Sequence, residues 1–186
     1  MEEVKHSNTI SLLLNQSATR KRGYDLPLIG KEDGHFVQLH VTALVCIFLS
    51  LLSALAVLLI SFRCDKQKLK TFFQWNKSER FVVYLALCDG FFNISHSMDH
   101  FDVLFREDHV HPLQLCDFYA FMLIEFCFAQ ILMVNVIAIN AFLLIFFRKN
   151  IDFGRYDWRL LLWTFGVPLC IGSCALLLDT LGPNGA

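Results

Sequence analysis

Hydrophobic and polar positions alternate on a long scale in this chain: apolar runs of helix length are separated by short charged stretches. Residues 41–62 form one run without a single charge, and about 20 apolar residues suffice for a helix to cross the hydrocarbon of a bilayer. A second such run covers residues 160–178. Between them, residues 81–104 and 113–147 are predominantly apolar but hold a few ionisable side chains. The pattern predicts an all-α membrane protein with four transmembrane helices at 41–62, 81–104, 113–147 and 160–178. Loops at 63–80, 105–112 and 148–159 join them, with a polar tail at 1–40 and a short final stretch at 179–186.

Composition sharpens this picture. The chain is 55% hydrophobic and 18% charged, with 19 phenylalanines among 186 residues, the profile of a membrane protein. The patch at residues 10–14 is too short for the core of a secretory signal, so the first helix is expected to act as its own insertion signal. Lysine and arginine crowd the first loop (Arg63, Lys66, Lys68, Lys70, Lys77, Arg80) and the third (Arg148, Lys149, Arg155, Arg159). Only Lys21, Arg22 and Lys31 precede the first helix closely, and Arg106 stands alone in the second loop. The basic loops are therefore expected in the cytoplasm and the N-terminus outside, which also exposes the glycosylation sequon at Asn15. The matches at Asn76 and Asn93 fall on the wrong side or within a span. A net charge of −1 gives no reason to expect nucleic acid as a partner; membrane lipids are the expected surroundings.

Polar residues inside the spans carry the candidate chemistry. At 100° per residue, Asp89, Asn93, His96 and His100 fall within about 60° on one face of the second helix, rising about 16 Å from mid-span toward the outside. Ionisable groups in a span face the bundle interior or a water-filled cavity, so this face is expected to line an opening to the outer side, with Asp99 and Asp117 at its mouth. The i, i+4 spacing of His96 and His100 beside Asp99 suits zinc, but no second ligand cluster accompanies them, and no metal or other cofactor is expected. His109 and His111, near Glu107 and Asp108, add groups that titrate near neutrality. Asp117, Glu125 and Asn135 lie within about 80° on the long third helix, which is expected to be the central one. Cys46, Cys88, Cys127, Cys170 and Cys174 read as small packing residues, and Cys64 and Cys116 lie at helix ends, Cys116 as an outward-accessible thiol. No nucleophile and base pair up: Ser95 and His96 point to different sides of their helix, so an enzyme is not expected.

Four spans, an outer tail with a sequon, a cysteine opening a long third helix and an aspartate midway along the second resemble the first half of a seven-helix G-protein-coupled receptor. The stretch YLALCDGF at residues 84–91 is similar to the second-helix signature of that superfamily. The resemblance makes Asp89 the mid-membrane switch, Cys116 one half of a disulfide to the second extracellular loop, and Trp163 the fourth-helix tryptophan. FGVP at residues 165–168, containing Gly166 and Pro168, resembles the tryptophan-glycine-x-proline of the slime-mould cyclic-AMP receptor-like and secretin-like groups. Asn140, Ala141 and Phe142 stand where rhodopsin-like members carry aspartate-arginine-tyrosine, which points toward the cyclic-AMP receptor-like group. The resemblance implies a plasma-membrane receptor for an extracellular ligand, bound near His96, Asp99, His100 and Asp117, that signals to a heterotrimeric G protein. It also implies that only the first four of seven helices are present. The rival expectation is a four-helix transporter subunit or a structural or regulatory membrane protein, with Asp89 and Glu125 as relay carboxylates.

Overall fold

The computed structural model describes residue 24 and residues 26–63 and 71–182; Asn15, Cys64 and part of the basic first loop lie outside these. The architecture is all-α. Four helical segments are long and apolar enough to cross a membrane: α1 (Phe36–Arg63), α2 (Lys77–Arg106), α3 (Leu113–Phe147) and a fourth span, Arg155–Leu177. The chain is thus a four-helix, multi-span membrane protein. Within the fourth span, α4 (Trp158–Leu161) and α5 (Val167–Leu177) flank one widened π-helical turn at Leu162–Gly166.

Neighbours in sequence are neighbours in space: α1 packs on α2, α2 on α3, and α3 on the fourth span. α2 is the most enclosed of the four, whereas α3 is largely exposed, which corrects the expectation that the third helix is central. The physical reason lies in side-chain size and patterning. Ala86, Cys88, Ser95 and Ser97 are buried on α2 and let its neighbours approach closely, as small residues do between membrane helices. On α3, bulky apolar residues such as Phe128, Ile131, Val134 and Phe142 point outward all round.

α1 shows its buried stripe clearly. Phe36, His40, Leu44, Ile47 and Ala54 recur at three-, four- and seven-residue spacing and face α2. The helix begins at Phe36, so His40, which the apolar run from residue 41 leaves in the tail, is one turn inside it.

The two ends of the molecule are built differently. At the end bearing the basic loops, Phe81, Tyr84, Met133, Phe153 and Leu160 form one core cluster. At the other, Leu28, Phe36, Val103, Val110, Cys116 and Tyr119 form a second, in which the segment preceding α1 closes over the loop between α2 and α3. Tyr24 donates its hydroxyl to the Val110 carbonyl at 2.8 Å, His109 Nε2 bonds the Leu26 carbonyl at 2.9 Å, and Lys31 Nζ donates to the Glu107 carbonyl. Tyr24 also stacks on His111, ring centroids 4.6 Å apart.

Candidate functional site

The polar face expected on α2 is present as two separate hydrogen-bonded groups. At its capped end His40 Nδ1 and His100 Nδ1 share a hydrogen at 2.7 Å, and His100 Nε2 and His96 Nε2 are 3.3 Å apart. Three imidazoles from two helices thus form one chain with His100 in the middle. Phe36 stacks obliquely on His40 at 4.5 Å, and Phe92 lies nearly parallel to His96 at 5.4 Å, so the chain has an aromatic ring at each end. A neutral imidazole has one N–H and one lone pair, so His100 donates to one neighbour and accepts from the other. The chain therefore has two tautomeric orders. They differ at His96 Nδ1, which is buried and has no hydrogen-bond partner: it is a free donor in one order and a free acceptor in the other.

Two turns deeper, Asp89 is anchored to α1. Ser50 Oγ donates to Asp89 Oδ2 at 3.1 Å, and Asn93 Nδ2 donates to Ser50 Oγ at 3.0 Å and to the Asp89 carbonyl at 2.8 Å. Asn93 is buried and its amide nitrogen makes two hydrogen bonds, so its sequon is structural. On its other side Asp89 borders a groove of about 430 Å³ between α1, α2 and α3, shared with Ser53 and Gln130 and otherwise apolar.

The remaining candidate residues distribute unevenly. Asp99 and Asp117 are half-buried and join no hydrogen bond with the imidazole chain; Asp117 Oδ1 is buried without a partner. Glu125 is buried on α3, and its Oε2 likewise has no partner. Asn135 faces outward and bonds only the Ile131 carbonyl of its own helix, so the α3 polar face is not drawn together. Cys116 is unpaired and buried beneath Leu28 and Val110, a correction to the expectation of an outward-accessible thiol. Of the five cysteines expected to pack within the spans Cys88 does so, whereas Cys46, Cys127, Cys170 and Cys174 are exposed, a correction to that expectation. Trp163 faces outward with Gly166 beside it, while Pro168 is fully buried. Among the described residues no group of three or more histidines, cysteines or carboxylates is placed to hold a metal ion. In the imidazole chain His100 spends one nitrogen on each neighbour, which prevents all three rings from converging on a point.

A second polar centre, at the basic end, is one that sequence reading missed. Arg80 grips Asp157 with two parallel bonds, Nε to Oδ2 at 2.6 Å and Nη2 to Oδ1 at 2.9 Å. Tyr84 donates its hydroxyl to Asp157 Oδ2 at 3.2 Å, and Arg80 Nη1 donates to the Trp75 and Phe73 carbonyls. Lys77 reaches Asn150 Oδ1 at 2.6 Å and the Ile151 carbonyl, with its ammonium over the Phe153 ring. Asp157 is presented by a turn in which Tyr156 and Asp157 both adopt left-handed backbone angles, φ 64° and 55°. Aspartate tolerates that conformation better than most residues. The start of α2 is thereby locked to the start of the fourth span.

Comparison with known protein families yields no matching family model, and comparisons with curated proteins and with solved structures yield no match.

Proposed function

We propose that the chain is the first half of a seven-helix G-protein-coupled receptor, nearest the cyclic-AMP receptor-like or secretin-like groups. It sits in the plasma membrane with its N-terminus outside and its basic loops toward a heterotrimeric G protein. The observation that carries this reading is the polar face of α2, which runs from the capped imidazole chain through Asn93 to Asp89. In a receptor, that layout puts an extracellular ligand near His96, Asp99, His100 and Asp117, the switch at Asp89, and the G protein on the face that carries Arg148 and Lys149. A ligand shifts such a bundle only by binding one of its arrangements better than another, and His96 Nδ1 and Asp117 Oδ1 offer it unpartnered atoms. The role is one of binding rather than catalysis.

Glu125 favours a second reading. A buried carboxylate oxygen without a partner, inside a span, also suits an ion path in a four-helix transporter subunit or regulatory membrane protein. The test is nucleotide exchange on a panel of heterotrimeric G proteins with the seven-helix protein that contains this chain, purified in nanodiscs. Exchange above empty discs on at least one G protein, altered by Asp89→Asn, is the expected result. Exchange equal to empty discs across the whole panel would reject the receptor reading, and cation flux abolished by Glu125→Gln in sealed vesicles would establish the second.

A further inference from the structure

The fourth span interrupts its own helix in a way that opens its membrane-facing side. Pro168 lacks the N–H that would bond back along the helix, and Thr164, fully buried, donates its hydroxyl to the Leu160 carbonyl at 2.8 Å. Between them the chain widens into the π-helical turn Leu162–Gly166. The result is an apolar groove of about 720 Å³ bordered by Trp158, Arg159, Leu162, Trp163, Gly166 and Leu169. Gly166 keeps its floor open, and both tryptophans, Leu162 and Leu169 are about half exposed or more along it.

Charge identifies the occupant. Arg159 stands at the basic end of the groove with its guanidinium over the Trp158 ring, and Arg155 lies one turn earlier over Tyr156. Among the described residues neither arginine forms an ion pair, in contrast to Arg80 and Arg106. The groove thus joins an apolar trough of acyl-chain dimensions to unpaired guanidinium groups at the level where a headgroup lies. We propose that it is a binding site for an anionic phospholipid, one acyl chain lying against Leu162, Gly166 and Leu169 and the phosphate meeting Arg159. This site rests on the membrane-spanning character of the helix and is independent of the receptor reading. Basic groups at a membrane surface attract anionic lipid at about 1 kcal/mol each, about a fivefold preference per arginine engaged.

The test uses the full chain carrying Trp75→Phe in nanodiscs, so that emission comes from Trp158 and Trp163 alone. Acyl-brominated phosphatidylglycerol is titrated against acyl-brominated phosphatidylcholine in a neutral lipid background. The glycerol lipid should half-quench the emission at about a fivefold lower mole fraction. Arg159→Gln should erase that preference while quenching by the choline lipid persists, which shows the groove itself to be intact. Equal half-quenching by the two lipids in the unaltered groove, or an undiminished preference in Arg159→Gln, would overturn the site. Absence of quenching by either lipid would overturn it too, by showing the groove to be covered by protein.

Discussion

The two ends of this bundle solve the same problem, joining helices through polar groups inside a membrane, with opposite chemistry. At the basic end the bond is ionic and saturated at both carboxylate oxygens: Arg80 holds Asp157 by two parallel contacts, Tyr84 adds a third, and two backbone carbonyls accept from Arg80 Nη1. At the capped end the bond is neutral and incomplete. His40, His100 and His96 pass hydrogens along a chain that ends on an unpartnered nitrogen, under a segment held by single hydrogen bonds and one buried leucine. A saturated charge pair specifies one arrangement, whereas a chain with two tautomeric orders and an open valence admits more than one. The basic end is therefore the fixed part of the fold and the capped end the adaptable part.

The largest effect should come from breaking the ionic end. Arg80→Ala leaves a buried carboxylate uncompensated, an event that costs about 3–5 kcal/mol. Thermal unfolding in nanodiscs should fall accordingly, and pairing Arg80→Leu with Asp157→Asn, which removes both charges and keeps a residue suited to the left-handed turn, should recover much of the loss. Asp157→Asn keeps one acceptor and a residue that tolerates the left-handed turn, so it should cost less than Arg80→Ala. If Arg80→Ala leaves the unfolding temperature unchanged, the two ends do not differ as described.

The capped end should respond to a different probe. Leu28 is buried in one cluster with Phe36 and Val110, and cutting a buried leucine to alanine costs upward of about 2 kcal/mol. Here that loss acts on closure of the segment rather than on global unfolding. Cys116 lies beneath it, so maleimide labelling of Cys116 should accelerate by about thirtyfold in Leu28→Ala. Unchanged labelling would mean that the segment does not cover the site.

Much of this comparison was readable in the sequence, and what escaped did so for identifiable reasons. The apolar runs fix four helices because span length is set by the bilayer, and period 3.6 puts Asp89, Asn93, His96 and His100 on one face. His40 is polar and immediately precedes the uncharged run that begins at Val41, so hydropathy alone places it in the tail. The signal was nevertheless there: His40 continues the stripe of Leu44, Ile47 and Ala54 at helical spacing. The Arg80–Asp157 lock could not be read, since its partners are 77 residues apart and Asp157 is aimed by two left-handed residues that no periodicity encodes. Arg80 looked like one more basic loop residue. The central position of α2 was hidden for a related reason: the polar residues of α3 drew attention, but small side chains, not polar ones, decided which helix is enclosed.

His100 separates the tautomeric reading from simple packing. His100→Phe keeps a ring of similar size but removes both shared hydrogens, leaving His40 and His96 each short of one hydrogen bond at a net cost of about 1 kcal/mol apiece. Imidazole nitrogen resonances report the two orders directly. In the natural chain His96 should show exchange between protonated and unprotonated Nδ1, and in His100→Phe a single form. One fixed tautomer in both proteins would leave the capped end as specified as the basic end.

The smallest effect is a pH dependence at the cap. Burial, and then the charges of Cys116, Asp117 and Asp108, push the Tyr24 phenol above its ordinary value near 10. A group whose acidity is weakened by docking favours the docked state fully below its free value, and the advantage is lost as pH rises through the docked value. The hydroxyl must keep its proton to donate to the Val110 carbonyl, so docking should hold constant up to about pH 9 and weaken above about pH 10. Limited proteolysis of the segment before α1 across that range measures the change independently of thiol chemistry. Tyr24→Phe should start with slightly faster cleavage and lose the alkaline increase, whereas His35→Gln, whose ring bonds only Gln38, should retain it. An alkaline increase that persists in Tyr24→Phe would assign the cap's opening to another group.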